Sequence, residues 1–256
     1  MTRLIKRSSR TGAPRRSWTA LLCVGAGLAA SAASASASAL ASTSASASTA
    51  VKATQQLAVL HYEHHAYAAP RTTATRRASV PAHRPITGQQ TTLPVLAQAT
   101  DRHGLRWLKV MLPGRPNSST GWIKRAGTQD ALTTWSIHVN TASRHVFVYH
   151  HGRLTRTFSA VVGKPSTPTP TGQFFLEETV IMPASDPGGP FALALSARSN
   201  VLQEFDGGPG QIAIHGRDSL GGTIGQAESH GCIRLVTADI TWLAVRIPIG
   251  TRVQIN

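Results

Sequence analysis

Apolar and polar residues alternate with a period of two over most of the carboxyl-terminal half of the chain, the pattern of half-buried β-strands. It predicts strands at residues 136–140, 144–149, 154–162, 173–182, 191–196 and 212–215, and a closing strand within 247–255. His150-His151-Gly152 reads as a hairpin turn with exposed histidines. Only the stretch 237–245, opened by Thr237 as a cap, has helical spacing. Roughly 120 residues of this kind can enclose one core, so 135–256 forms a single unit. Ahead of it, residues 93–99, 105–112 and 120–124 alternate in the same way between Gly, Pro and Asn turns. They predict a small barrel over 90–127, with Trp107 and Trp122 as core and a wall-binding surface as the alternative. The fold class is therefore mainly β, a small barrel followed by a second β unit with one short helix.

Further upstream the pattern fades. Residues 31–50 are almost wholly Ala, Ser and Thr, and 51–89 mix Pro, Arg, Thr and His without sustained periodicity, so 40–89 read as a disordered tether. His61-Tyr62-Glu63-His64-His65 brings three imidazoles and a carboxylate together. No second ligand cluster at metal-site spacing accompanies it, and a tether does not preorganise ligands, so no metal is expected. At the start of the chain Arg3, Lys6, Arg7, Arg10, Arg15 and Arg16 precede a short apolar run at 18–30 and Ala-x-Ala steps near Ala37 and Ala39. That is the pattern of a secretory signal over 1–39. The run is shorter than the roughly 20 apolar residues of a membrane span, and an uncleaved anchor is the alternative. Membrane contact is expected through this leader alone, and the location is an exported one, at the cell wall or in a periplasm-like space. Cys23 falls inside the leader, which leaves Cys232 as the one thiol of the processed chain and no disulfide.

Charge changes the picture little. The net charge is +15, of which +10 lies in residues 1–89 and +5 in the remainder. No folded stretch concentrates basic and aromatic residues together, so nucleic acid is not an expected partner. A modestly basic surface suits an anionic wall or membrane surface.

The candidate chemistry lies in Ser229-His230-Gly231-Cys232, where the thiol stands between a histidine-glycine turn and the apolar run 233–236. His215 ends a short apolar strand 17 residues earlier, and a Gly-rich loop through Gly221, Gly222 and Gly225 can fold it back onto the thiol. A neighbouring imidazole activates a thiol either by taking its proton or by sitting beside the thiolate as an imidazolium. Gly231 permits a tight backbone approach, so the amides of Gly231 and Cys232 can point at an oxyanion. Arg234 is placed to hold a substrate carboxylate or to pair with Asp239, Ser229 to bond the turn or the substrate backbone, and His230 to line the thiol pocket or fix the turn. Asp218 is given no catalytic role. No phosphate loop and no glycosidase-like pair of carboxylates occurs, which removes support for nucleotide and sugar-cleaving chemistry, and no cofactor is needed.

The stretch from His215-Gly-Arg-Asp-Ser-Leu-Gly-Gly-Thr to Ser229-His-Gly-Cys-Ile-Arg-Leu235 resembles the signature of the L,D-transpeptidases, the YkuD-type catalytic domain of bacterial wall synthesis. Val162-Gly-Lys-Pro-Ser-Thr-Pro-Thr-Pro-Thr-Gly-Gln-Phe174 and Ile247-Pro-Ile-Gly-Thr-Arg-Val-Gln-Ile255 are similar to flanking parts of the same domain. The spacing from His215 to Ser229 is at the short end for the family. Leu112-Pro-Gly-Arg-Pro-Asn-Ser-Ser-Thr-Gly-Trp-Ile123 resembles the end of a bacterial SH3-like module. The resemblance implies a YkuD-type β-sandwich after an SH3-like barrel, with Cys232 as nucleophile, His215 as base oriented by the carbonyl of Gly216, and Arg234 in the substrate site. It further implies that the partners are peptidoglycan stem peptides and that carbapenem β-lactams acylate Cys232. The expected reaction is cross-linking by acyl transfer from a tetrapeptide stem to an amine. The alternatives are an L,D-carboxypeptidase using the same thiol, and a non-catalytic wall-binding protein.

Overall fold

The computed structural model describes residues 51–256 except Asp206 and Ser219. The expected signal at 1–39, Cys23 and the first part of the expected tether therefore lie outside the described residues. Seven strands come first among the described residues: β1 Gln55–Leu60, β2 His64–Tyr67, β3 Arg76–Val80, β4 Thr92–Thr100, β5 Arg106–Met111, β6 Thr120–Lys124 and β7 Thr128–Thr133. Ten follow: β8 Trp135–Asn140, β9 His145–His150, β10 Arg153–Ser159, β11 Val162–Gly163, β12 Gly172–Ile181, β13 Phe191–Arg198, β14 Gln211–Gly216, β15 Ala227–Ser229, β16 Ile233–Leu235 and β17 Arg252–Ile255. The helix α1, Thr237–Ala244, lies between β16 and β17.

The first seven strands form one sheet in the order β3-β2-β6-β5-β4-β1-β7. This corrects the tether expectation, because β1, β2 and β3 all fall within 40–89. The run Leu57-Ala58-Val59-Leu60 fills a position between β4 and β7, with Leu57, Ala58 and Leu60 buried. In β3 only Val80 is buried, so its order comes from ladder bonds to β2 and not from an apolar pattern. Residues 90–127 are thus part of a larger sheet and not a unit of their own. Trp107 is fully buried and its indole N–H donates to Asp101 at 3.1 Å, while Trp122 is half-buried.

The second sheet runs β10-β9-β8-β17-β12-β13-β14-β16, with β11 and β15 as a separate parallel pair. Alternation in β12 places Phe174 in the core of this sheet and Phe175 in the core of the first one. The helix α1 buries Ile240 and Leu243 in the core of the second sheet. Its N-cap is Val236, with no side-chain capping bond. The expected Thr237 cap is absent because Thr237 is already helical and its hydroxyl donates to Asp218 instead. His150 is likewise not a free turn residue, since it ends β9 with its ring stacked 4.1 Å from Trp135. His151, at φ 51°, makes the turn.

A buried ion cluster joins the two sheets. Glu177 of β12 is 1% exposed and accepts from Arg84, from Arg198 at 3.4 Å and from Gln211 Nε2 at 3.3 Å. Burial, then repulsion from Arg115, holds the Arg198 pKa down at about 10. Next to it, Glu178 accepts from the amide and hydroxyl of Thr87 at 3.0 and 2.9 Å.

Candidate active site

The strands β14 and β16 lie side by side in parallel, with His215 opposite Arg234. Because β14 alternates, Gln211, Ala213 and His215 share the less buried side while Ile212, Ile214 and Gly216 point into the core. The thiol sits at this side. Cys232 Sγ accepts from the Ala213 amide at 3.4 Å and lies 4.0 Å from the Gln211 carbonyl. The structure therefore sets Arg234 opposite His215 and places the Cys232 thiol along the same strand, at Gln211 and Ala213.

His215 Nδ1 is 2.6 Å from the Gly216 carbonyl oxygen. A carbonyl only accepts, so Nδ1 carries the proton and Nε2 keeps its lone pair. One glycine makes room for this ring and a second for the backbone packed beside it. A Cβ on Gly188 (φ +88°) would stand 2.8 Å from His215 Nδ1, and one on Gly216 would meet the Gly189 carbonyl at 2.1 Å. Burial lowers the His215 pKa, partly offset by the bond to Gly216, and the charge of Arg234 lowers it further. Burial raises the Cys232 pKa, while the Ala213 amide and Arg234 pull it back. Both shifts favour the neutral pair. A neutral pair is the starting state for activation by proton transfer, as distinct from a resting thiolate–imidazolium pair.

The turn before the thiol is held from several sides. Ser229 is fully buried, and its hydroxyl donates to the Cys232 carbonyl at 2.6 Å and accepts from the Gly231 amide at 3.1 Å. This corrects one expectation, because the Gly231 amide is engaged in the turn and is not directed at an oxyanion. The Cys232 amide has no acceptor among the described residues and remains the donor of that pair. Gly231 has φ +125°, and a Cβ there would stand 3.0 Å from Ile212 Cδ1, so its glycine requirement is steric. His230 is exposed and stacks on Phe205 at 5.7 Å. Arg234 does not pair with Asp239. Its Nη1 donates to the carbonyls of Leu220 and Gly221 at 3.2 and 3.3 Å, and its buried Nε has no partner.

Two positioning residues escape the sequence reading. The Thr167 hydroxyl donates to the Ser229 carbonyl at 3.2 Å, and the Thr169 hydroxyl donates to the Gly231 carbonyl at 2.8 Å. Thr169 Oγ1 also accepts from the Gly163 amide at 2.9 Å. The available signal was that each threonine precedes a proline, which biases its backbone to the extended region. Among the described residues no group of three or more His, Cys, Asp or Glu is arranged to hold a metal. In the stretch His61–His65, His64 bonds the carbonyls of Tyr62 and Ala126 at 2.8 and 3.0 Å.

A single thiol, a tautomer-fixed imidazole on the neighbouring strand and an amide donor are the parts that covalent acyl transfer by a cysteine needs. The family model and the curated relatives agree in class. The family described as the L,D-transpeptidase catalytic domain, YkuD, matches residues 134–255. An L,D-transpeptidase YkuD of Bacillus subtilis is 31% identical over 150 residues, covering 57% of this chain and 74% of that protein. L,D-transpeptidase 1 of Mycobacterium tuberculosis is 32% identical over 137 residues, covering 50% of this chain and 51% of that protein. A solved structure of L,D-transpeptidase 3 from Mycobacterium tuberculosis, in complex with a faropenem-derived adduct, is 15% identical with a TM-score of 0.41. That match covers 65% of this chain and 91% of the other. The chain belongs to the YkuD family of L,D-transpeptidases.

Proposed function

We propose that the protein is an exported L,D-transpeptidase that cross-links peptidoglycan through a thioester on Cys232. The observation that carries the reading is the bond from His215 Nδ1 to the Gly216 carbonyl, which leaves Nε2 as a base on the strand beside the thiol. In this reaction Cys232 Sγ attacks the carbonyl that follows the L-configured centre of diaminopimelate in a tetrapeptide stem, as its proton passes to His215 Nε2. The Cys232 amide donates to the oxyanion that forms. Collapse expels the terminal D-alanine as its amine, which takes the proton from His215, and the acyl group stays on sulfur. An amine from a second stem then attacks the thioester and gives a proton to His215, and Sγ leaves as the thiol once that proton returns. A neutral resting pair suits this cycle, since the proton needs only to move between Sγ, His215 and the two amines.

The same thiol attack on a carbapenem opens the strained lactam and leaves a thioester with the ring nitrogen retained in the adduct. Export follows from the cation-then-apolar leader at 1–39, and amino-terminal sequencing of the mature protein tests it. Mass spectrometry after incubation with tetrapeptide muropeptides tests the reaction. Cross-linked dimers from wild type and none from Cys232→Ala are expected. Trimmed tripeptides without dimers indicate the L,D-carboxypeptidase, and untouched tetrapeptides overturn the reading.

A further inference from the structure

The β5–β6 hairpin of the first sheet reaches across to the second. Arg115, near its tip, donates from Nη1 to the Pro209 carbonyl at 2.9 Å and from Nη2 to those of Ser199 and Leu202 at 2.8 and 3.2 Å. Asn117 donates to the Arg198 carbonyl at 2.8 Å and accepts from the Arg198 amide at 2.9 Å, satisfying both backbone groups as a neighbouring strand would. Both residues therefore grip the connection between β13 and β14 near where it leaves and rejoins the sheet. The base of that connection is closed by the Ser199 amide on the Gly210 carbonyl at 2.8 Å. It leaves no slack, because a Cβ on Gly210 would meet the Leu202 carbonyl at 2.1 Å. Further along, Phe205 pairs by backbone with Gly208 and is 52% exposed, with its ring on His230.

This placement calls for a cause. An exposed phenylalanine in a long connection gains little from burial, so its own packing does not offset the entropy of ordering the segment. One guanidinium bonded to three carbonyls supplies the constraint from outside, and the planar fork reaches acceptors that a single ammonium cannot span. The ring so held lies against the residue two positions before the nucleophile.

We propose that Arg115 and Asn117 are positioning residues for the chemistry at Cys232: by fastening the β13–β14 connection they set Phe205 against His230 as an apolar wall beside the thiol, against which the aliphatic part of the stem peptide is seated. The wall rests on the transpeptidase reading for its substrate, but the clamp itself does not. It also gives the first sheet a part in the reaction beyond that of a passive neighbour.

The test uses the full chain with Arg115→Ala, Arg115→Lys and Phe205→Ala. Hydrogen exchange in peptides covering 199–210 rises by about tenfold or more in Arg115→Ala and stays raised in Arg115→Lys, with exchange in β14 unchanged. For the tetrapeptide, kcat/KM falls by about tenfold in Arg115→Ala, mainly through KM, and Phe205→Ala reproduces the loss without altering the hairpin. Phe205 is exposed, so this variant folds even if the arginine variants do not. Unchanged exchange in Arg115→Ala overturns the clamp. Raised exchange with kcat/KM within about twofold of wild type, or an unaffected Phe205→Ala, overturns the wall. If wild type turns over no muropeptide, the transpeptidase reading fails while the exchange result still decides the clamp.

Discussion

Replacing Glu177 with glutamine removes one charge and keeps the shape of the side chain. The carboxylate is 1% exposed, and the two guanidiniums it faces belong to Arg84 and Arg198, at 6% and 8% exposed. After the change both cations stay buried opposite a neutral amide, with the neighbouring Glu178 carboxylate as their remaining attractive charge. Breaking a buried pair in this way costs about 3–5 kcal/mol, most of it the desolvation of the charge left behind. In a unit of this size each kcal/mol moves the melting temperature by roughly 2–4 °C, so Glu177→Gln is expected to lower it by about 6–20 °C. Because the cluster is shielded from water, the loss should be nearly the same in low salt and at about 1 M salt, where the Debye length is near 3 Å. Removing Arg84 together with Glu177, as Arg84→Met with Glu177→Leu, is expected to recover much of the loss, since Arg198 keeps the carbonyls of Leu195 and Ala197 at 2.9 and 3.1 Å. Calorimetric melts of the three proteins decide it. A drop below about 2 °C in Glu177→Gln, or a drop that disappears in high salt, would refute the claim that Glu177 compensates buried cations in this cluster.

Other changes probe the site directly. Gly188→Ala places a methyl 2.8 Å from His215 Nδ1 in a backbone of φ +88°, so turnover should fall by about 100-fold or more while Cys232 remains alkylatable; wild-type turnover would argue against a fixed ring. Ser229→Ala orphans the Cys232 carbonyl and the Gly231 amide, each costing about 1–3 kcal/mol, and should lower both melting temperature and activity, whereas Ser229→Thr with full activity and an unchanged melt would show the cavity is looser than described. Burial keeps His215 neutral in the fold, so the unfolded chain takes up its proton first as the pH drops. Stability from this group is present above about pH 6.5 and is lost as the pH falls toward the lowered folded value, a loss that His215→Gln should lessen in melts between about pH 7 and 5. Burial also lowers the His138 pKa, with Arg252 adding to the effect, so part of the acid loss should survive that substitution. At the other end Cys232, raised by burial, should react with iodoacetamide at a rate that keeps climbing above about pH 8.5, and a flat rate below about pH 6 would mean a resting ion pair instead.

What could be read from the sequence divides by the range of the interaction that carries it. The strands β8, β9, β12 and β14 were legible because apolar alternation is a local signal, and Cys232 and His215 stand out as candidates because a reactive residue type stands at a turn or a strand end. The groups that orient them were not. The Thr167 and Thr169 hydroxyls meet carbonyls 62 residues away, and Arg84 meets Glu177 across 93, so neither pairing leaves a pattern inside a window of the chain. The strand β3 failed for a related reason. An edge strand with one buried residue takes its order from the ladder of its neighbour, and the ladder is made of backbone atoms that every residue possesses. The fate of the Gly231 amide shows the same limit at short range. Glycine before a nucleophile suggests a free N–H, yet the serine two residues earlier claims it, and only the turn geometry decides between the two. Identity at a position thus announces which chemistry is available, while hydroxyls, amides and guanidiniums brought in from distant strands determine which lone pair and which N–H are left to perform it.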